Sequence, residues 1–217
     1  MIFLGIYDEW KLATSLIPRL IQLTNESILI RTDGTWSDEF SSFYSSFIVE
    51  YPHRILTVRG KERLKIKGNG GLLCHTILEI FLKFTDDLYL IKIDPDTGIN
   101  HAPTVPTEFD VAANYSDEGY LLGGAIAFSR SAIQKIVESS LLLDKKYKAP
   151  RWCYRWRDRE WIPCEDAILY DVIQRLGLNL LDWEDVYCCH SKQPFNPPRP
   201  LEHYSLYHPV RRKDESI

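Results

Sequence analysis

Hydrophobic and polar positions follow one another in blocks whose period switches repeatedly between strand-like and helix-like. Residues 2–7 (IFLGIY) form a short apolar run suited to a buried strand. From Trp10 the apolar residues Leu12, Ala13, Leu16, Ile17, Leu20 and Ile21 fall at helical spacing, with Asp8 placed to cap them. Pro18 within that stretch predicts a kink or a break. Residues 27–31 (SILIR) are strand-like and stop at the turn signal Asp33-Gly34. Phe40, Phe43, Tyr44 and Phe47 share one helical face within residues 36–47, and residues 54–58 (RILTV) read as a third strand. Gly68, Gly70 and Gly71 lead into an apolar helix over 72–84. The clearest strand of all, residues 87–93 (DLYLIKI), then runs directly into Asp94-Pro95-Asp96.

The second half is less regular. Residues 100–116 read as a loop-rich stretch containing Pro103 and Pro106. Residues 120–128 (YLLGGAIAF) read as a strand interrupted by Gly123-Gly124 and followed by a helix over 131–140. Residues 145–163 are polar, aromatic and poor in helix signals. A helix over 165–176 turns Ala167, Ile168, Tyr170, Val172 and Ile173 inward, and residues 178–181 and 185–189 suggest short strands. Pro194, Pro197, Pro198 and Pro200 predict that the segment from 193 onward is an extended wrap rather than a packed element. Alternation of strands and helices with short connections predicts an α/β domain with a mostly parallel sheet. In such sheets ligands bind outside the carboxyl ends of the strands, where Asp94 and Asp96 fall.

Composition narrows the function classes. A chain of 217 residues fits a single domain, and 45% hydrophobic with 26% charged residues is ordinary for a folded soluble protein. A net charge of −4 supplies no basic field for nucleic acid. Arg151, Arg155, Arg157 and Arg159 are interleaved with aromatics and acids, which suits a local surface or a lid over an anionic ligand. Trp152, Tyr154, Trp156 and Trp161 in the same stretch suggest an interface or an acceptor platform. Five cysteines, an odd number without CxxC spacing, fit reduced thiols better than a disulfide framework or a zinc site. The first ten residues show no signal-peptide pattern, and no run reaches the ~18 apolar residues of a membrane span. A cytoplasmic protein is expected.

Four features carry candidate chemistry, each with a plainer alternative. Asp94 and Asp96 place two carboxylates just beyond a buried strand, where a hard divalent cation and a diphosphate could share them; a solvated acidic turn has the same pattern. Gly123-Gly124 in an apolar strand mark a close approach by another backbone or by a ligand, or a β-bulge. Glu165-Asp166 open an amphipathic helix, where acids are stabilised by the helix dipole or can act as a general base. His190 ends the apolar run Val186-Tyr187-Cys188-Cys189 and could be a ligand or an ordinary surface residue; His203 and His208 compete with it.

The order of these features resembles the Fringe-like and related β-1,3-glycosyltransferase (galactosyltransferase) family. In that family an apolar strand delivers a DxD-type motif, here Asp94-Pro95-Asp96. A glycine-rich apolar strand follows, here Gly123-Gly124-Ala125, and then an acidic pair opening a helix, here Pro163-Cys164-Glu165-Asp166. A histidine ends a later strand, here Cys189-His190-Ser191. The resemblance spans residues 72–192, with Pro95 standing where many members have a third acid. It implies a GT-A-type, Rossmann-like mixed sheet flanked by helices in one domain. The nucleotide-sugar half would be 1–98, the acceptor and catalytic half 99–192 and the tail 193–217.

The implied activity is inverting, metal-dependent transfer of a hexose from a nucleotide-sugar, UDP-linked, to a hydroxyl of a glycan, peptide or other acceptor, with Mn²⁺ or Mg²⁺ as cofactor. By the resemblance Asp96 and His190 are metal ligands, Asp94 binds metal or ribose, and Asp166 is the catalytic base, with Glu165 its substitute. Gly123 and Gly124 line the acceptor side. Outside the resemblance, Asp33 after the second strand is a candidate for the nucleoside and Arg155 for the diphosphate. Two other readings use the same carboxylates. A metal-dependent phosphohydrolase or nucleotidyltransferase would need a second acidic cluster, for which Asp86-Asp87 is the candidate. A non-catalytic sugar-nucleotide-binding module would keep the fold alone.

Overall fold

The computed structural model describes residues 1–6, 9–60, 70–148, 154–157, 160–189 and 196–208, with the backbone only at 154–157 and 160–162. Four strands, β1 (Ile2–Ile6), β2 (Ile28–Asp33), β3 (Ile55–Gly60) and β4 (Tyr89–Ile93), lie parallel in the order β3-β2-β1-β4. Each begins where the sequence turns apolar. Beyond β4 the sheet becomes mixed. A two-residue strand β5 (Gly98–Ile99) leaves the sheet, and β6 (Val111–Ser116) and β7 (Tyr120–Ser129) return to it. β7 is antiparallel to both β4 and β6. After a hairpin of β8 (Tyr154–Arg157) and β9 (Glu160–Pro163), the strand β10 (Leu180–Leu181) joins parallel to β6 and completes seven strands. A second sheet forms from β5, β11 (Val186–Cys188) and β12 (Leu206–His208).

Side chains alternate between faces along each strand, so each core strand feeds two cores. Ile2, Leu4, Ile6, Ile91 and Ile93 pack under α1 (Trp10–Leu23) and α2 (Asp38–Ser46). Met1, Phe3, Leu29 and Leu90 face the other way, against α3 (Gly70–Phe84), α4 (Arg130–Ser139) and α5 (Glu165–Arg175). α1 continues through Pro18 without a break. The ring costs about 3 kcal/mol in a helix interior. Burial of Leu16, Ile17 and Leu20, worth roughly 1.5–3 kcal/mol each, outweighs it. α2 begins at Ser37, whose hydroxyl accepts from the Phe40 amide at 3.1 Å.

Two segments differ from the sequence reading. The stretch expected as loop contains β6, whose Val111, Ala112 and Ala113 are fully buried between β7 and β10. Three small apolar residues are too few for a periodicity to register. The segment expected as an extended wrap carries the packed strand β12, preceded by the buried Tyr204 and Ser205. Among the described residues, no helix is long and apolar enough to cross a membrane.

Candidate functional site

The site is built on the turn that follows β4. The Asp94 amide donates to the Gly124 carbonyl at 3.0 Å, continuing the β4–β7 ladder one residue past the strand. The Thr97 amide then donates to the Asp94 carbonyl at 3.0 Å, closing a β-turn with Pro95 at its second position. Proline suits that position because its fixed φ matches the turn. The Thr97 hydroxyl ties the turn down again by donating to the Gly124 carbonyl at 3.0 Å. Asp94 and Asp96 are thereby held on one short, doubly anchored turn.

β5 starts directly after this turn and pairs antiparallel with β12, Gly98 opposite Tyr207. That register sets His208 beside the two carboxylates. Its Nε2 lies 3.0 Å from Asp96 Oδ1 and 3.9 Å from Asp94 Oδ2. Ligand atoms of Asp94, Asp96 and His208 all lie within 4.8 Å of one another, the one such triad among the described residues. Burial works to raise the Asp96 pKa, but the hydrogen bond and charge of His208, aided by Lys92, hold it below the ordinary carboxylate value. Two carboxylate oxygens and an imidazole nitrogen suit a borderline-hard divalent ion such as Mn²⁺, and Mg²⁺ less selectively.

Beneath the turn lies a buried cation that sequence reasoning passed over. Lys92 lies two residues after Leu90 on β4, on the same face, and so points toward α3 and α5. It places Nζ 2.6 Å from Asp94 Oδ1, 2.7 Å from the Gly123 carbonyl and 3.8 Å from Glu165 Oε1. Its side chain is 12% exposed. Burial lowers the pKa of such an amine, yet the carboxylates of Asp94, Glu165 and Asp166 reverse this and hold it above the usual lysine range. A small, mainly apolar cavity of about 20 Å³ sits between Lys92, Glu165, Cys74 and Phe128, room for one water and not for a sugar. The clue in the sequence was the single charge inside the apolar run 88–93 (LYLIKI).

Gly123 and Gly124 serve two different side chains. A Cβ at Gly123 would lie 2.0 Å from Asp166 Oδ1, and one at Gly124 would lie 2.0 Å from His208 Cγ. The groups that approach these glycines are the side chains of Asp166 and His208, where the sequence reading expected another backbone or a ligand. Glu165 and Asp166 form the first turn of α5 behind Cys164, which makes no side-chain cap. Glu165 turns inward to Lys92, whereas Asp166 lies over β7.

The remaining sequence candidates fall as follows. Asp33 ends β2, on the same sheet edge as Asp94 with β1 between them. Its Oδ1 accepts from Arg31 Nε at 2.9 Å. His190 lies outside the described residues, as do Arg151 and the side chains of Arg155, Arg157 and the aromatics of that stretch. His203 is exposed and outside the cluster, while His208, its competitor in the sequence, is in it. Asp86 and Asp87 lie at the opposite end of β4, where Asp87 accepts from the Thr85 hydroxyl at 2.7 Å and Asp86 faces Arg130 at 3.7 Å. They cannot complete a second ion site at the turn.

No family model and no curated protein sequence matches the chain. Solved structures do. The chain is similar to the galactosyltransferase LgtC in complex with donor and acceptor sugar analogues, with a TM-score of 0.54 and 9% identity over 95% of this chain and 86% of that one. It is similar to the mannosyltransferase PcManGT from Pyrobaculum calidifontis in complex with GDP-Man and Mn²⁺, with a TM-score of 0.54 and 10% identity over 90% of this chain and 57% of that one. The bifunctional glycosyltransferase WbbM gives a TM-score of 0.58 and 11% identity, covering 97% of this chain and 45% of that chain. At such identities the likeness establishes the fold alone, a GT-A-type fold in a single domain. None of the three is named as a Fringe-like enzyme.

Proposed function

We propose that the chain is a divalent-ion-dependent glycosyltransferase that moves a hexose from a UDP-linked donor to a hydroxyl acceptor with inversion at the anomeric carbon. The observation that carries this reading is the Asp94–Asp96–His208 cluster at the carboxyl end of β4, in a GT-A fold. Donor and acceptor sugar analogues bind LgtC, and GDP-Man with Mn²⁺ binds PcManGT; both facts support a nucleotide-sugar at the same sheet edge here.

Asp94, Asp96 and His208 would hold the ion, with His190 a further ligand by the family resemblance. A divalent ion there would offset the charge of the departing nucleoside diphosphate. Asp33 would bind the nucleoside and Arg155 the diphosphate, through its planar pair of donors. Asp166 would accept the proton of the acceptor hydroxyl as that oxygen bonds to the anomeric carbon and the bond to the diphosphate oxygen breaks. The absence of side chains at Gly123 and Gly124 lets Asp166 and His208 lie close to β7, which would be the acceptor side. Glu165, turned to Lys92 at 3.8 Å, is the weaker candidate for base.

The test is transfer from UDP- and GDP-sugars, with and without Mn²⁺, followed by NMR of the product's anomeric configuration. Asp166→Asn should lower transfer by roughly 10²-fold or more while leaving nucleotide affinity nearly unchanged, and Glu165→Gln should do much less. Wild-type rates in Asp166→Asn would remove it as base. A product that keeps the donor's configuration would remove inversion.

A further inference from the structure

The ion site contains a charge that works against an ion. Lys92 Nζ holds Asp94 Oδ1 at 2.6 Å and leaves Asp94 Oδ2, at 3.9 Å from His208, as the oxygen turned to the cluster. The ammonium also donates to the Gly123 carbonyl at 2.7 Å and faces Glu165 at 3.8 Å, so protein groups surround it. We propose that Lys92 is a positioning residue and a built-in counter-charge: it occupies half of Asp94 and makes ion binding depend on the diphosphate of the donor. This rests on the ion site proposed above.

Two effects of Lys92 on an ion at this site oppose each other. Holding Asp94 in one rotamer favours binding, but fixing a single short side chain is worth only a factor of a few. A full positive charge against a ligand carboxylate disfavours binding. In a setting 12% exposed, that repulsion falls well outside the weak limit of bulk water. The charge therefore dominates. Without Lys92 the acids Asp94, Asp96, Glu165 and Asp166 would attract a divalent ion unaided. With it, part of that attraction is cancelled, and a nucleoside diphosphate restores it by bringing negative charge of its own. The coupling is reciprocal, so the ion must raise nucleotide affinity by the factor by which nucleotide raises ion affinity.

The experiment is calorimetric titration of Mn²⁺ into the full chain, alone and in the presence of UDP or GDP, for wild type, Lys92→Met, Lys92→Arg and Asp96→Asn. Wild type should bind Mn²⁺ weakly alone and more tightly with a nucleoside diphosphate. Lys92→Met should bind Mn²⁺ alone tighter by roughly tenfold or more, with a smaller gain from nucleotide. Lys92→Arg, which keeps the charge, should stay near wild type. Should Lys92→Met be destabilised in ion-free buffer, its melting temperature reads the same balance, and Mn²⁺ must raise it more than in wild type. Equal or weaker Mn²⁺ binding by a folded Lys92→Met, or a Lys92→Arg that tightens as Lys92→Met does, overturns the proposal for Lys92 alone. A wild type that binds no Mn²⁺ with either nucleotide, or is unaffected by Asp96→Asn, instead overturns the ion site and this inference with it.

Discussion

Replacing Gly124 by alanine tests the link between β7 and the ion site with one methyl group. The new Cβ would lie 2.0 Å from His208 Cγ, 2.4 Å from its Cβ and 2.4 Å from Nδ1. Those atoms are the root of the side chain, so no rotation of a flexible end relieves the clash; the β12 backbone must move. Overpacking of this kind costs about 1–3 kcal/mol. Displacement also removes the 3.0 Å bond to Asp96, a charge-assisted hydrogen bond worth about 1.5–3 kcal/mol. Against these stands the ~0.4–1 kcal/mol that alanine returns by stiffening the unfolded chain. The net loss is about 1.5–5.6 kcal/mol, which in a domain of this size lowers Tm by roughly 3–22 °C. Differential scanning calorimetry without ions measures the first effect. Calorimetric titration of Mn²⁺ with nucleotide measures the second, expected to weaken by more than about tenfold through loss of one ligand. Unchanged Tm together with wild-type Mn²⁺ affinity would mean that His208 does not stand over Gly124 and that the triad is misassigned.

Gly123→Ala should behave differently although its neighbour is as close, because the clashing atom, Asp166 Oδ1 at 2.0 Å, is the end of a side chain and can swing away. Transfer should fall by roughly 10-fold or more with Mn²⁺ affinity kept, and a parallel loss of both would contradict separate roles for the two glycines. Glu26 accepts hydrogen bonds from Tyr89 Oη at 2.6 Å and from the amino terminus at 2.8 Å. Burial would raise its pKa, but the amino terminus and Tyr89 outweigh that and hold it below the ordinary value. A lowered folded pKa means stability that is complete above the unfolded value near ~4.3 and is lost as pH falls through the folded one. Glu26→Gln should thus cost about 1 kcal/mol at pH 7, with the gap closing below about pH 4 in urea denaturation, and a gap independent of pH would assign the cost to packing.

The strand into Asp94-Pro95-Asp96 was legible because β4 is buried on both faces and ends at a proline turn, a local pattern. So were α1, α3, α4 and α5, whose apolar spacing matches the faces they bury. The acidic pair at 165–166 could be placed at a helix start but not chosen between. Helix spacing alone did not choose, and Asp166 was chosen by the family resemblance; Lys92, which draws Glu165 inward from a different element, left no mark near that pair in the sequence. His208 was legible only as one histidine among three. It reaches Asp96 across 112 residues through a strand of three residues, and neither that separation nor so short a strand leaves a periodic mark. Gly123 and Gly124 announced a close approach without saying what approaches. β6 was missed because its three buried residues are small and follow a proline-containing stretch.

The position of His208 also sets when the site can exist. Most of the seven-stranded sheet can form from residues before 130, and Asp94 and Asp96 are in place once β4 meets β7. The third candidate ligand arrives only when β12 slots between β11 and β5, near the far end of the described chain. A contact of such sequence separation is entropically late in folding. A nascent or partly folded chain therefore carries the bare acidic turn, with Lys92 already able to hold Asp94. The full set of donors appears only with the finished fold, so that a chain still folding has no complete site in which to trap an ion out of place.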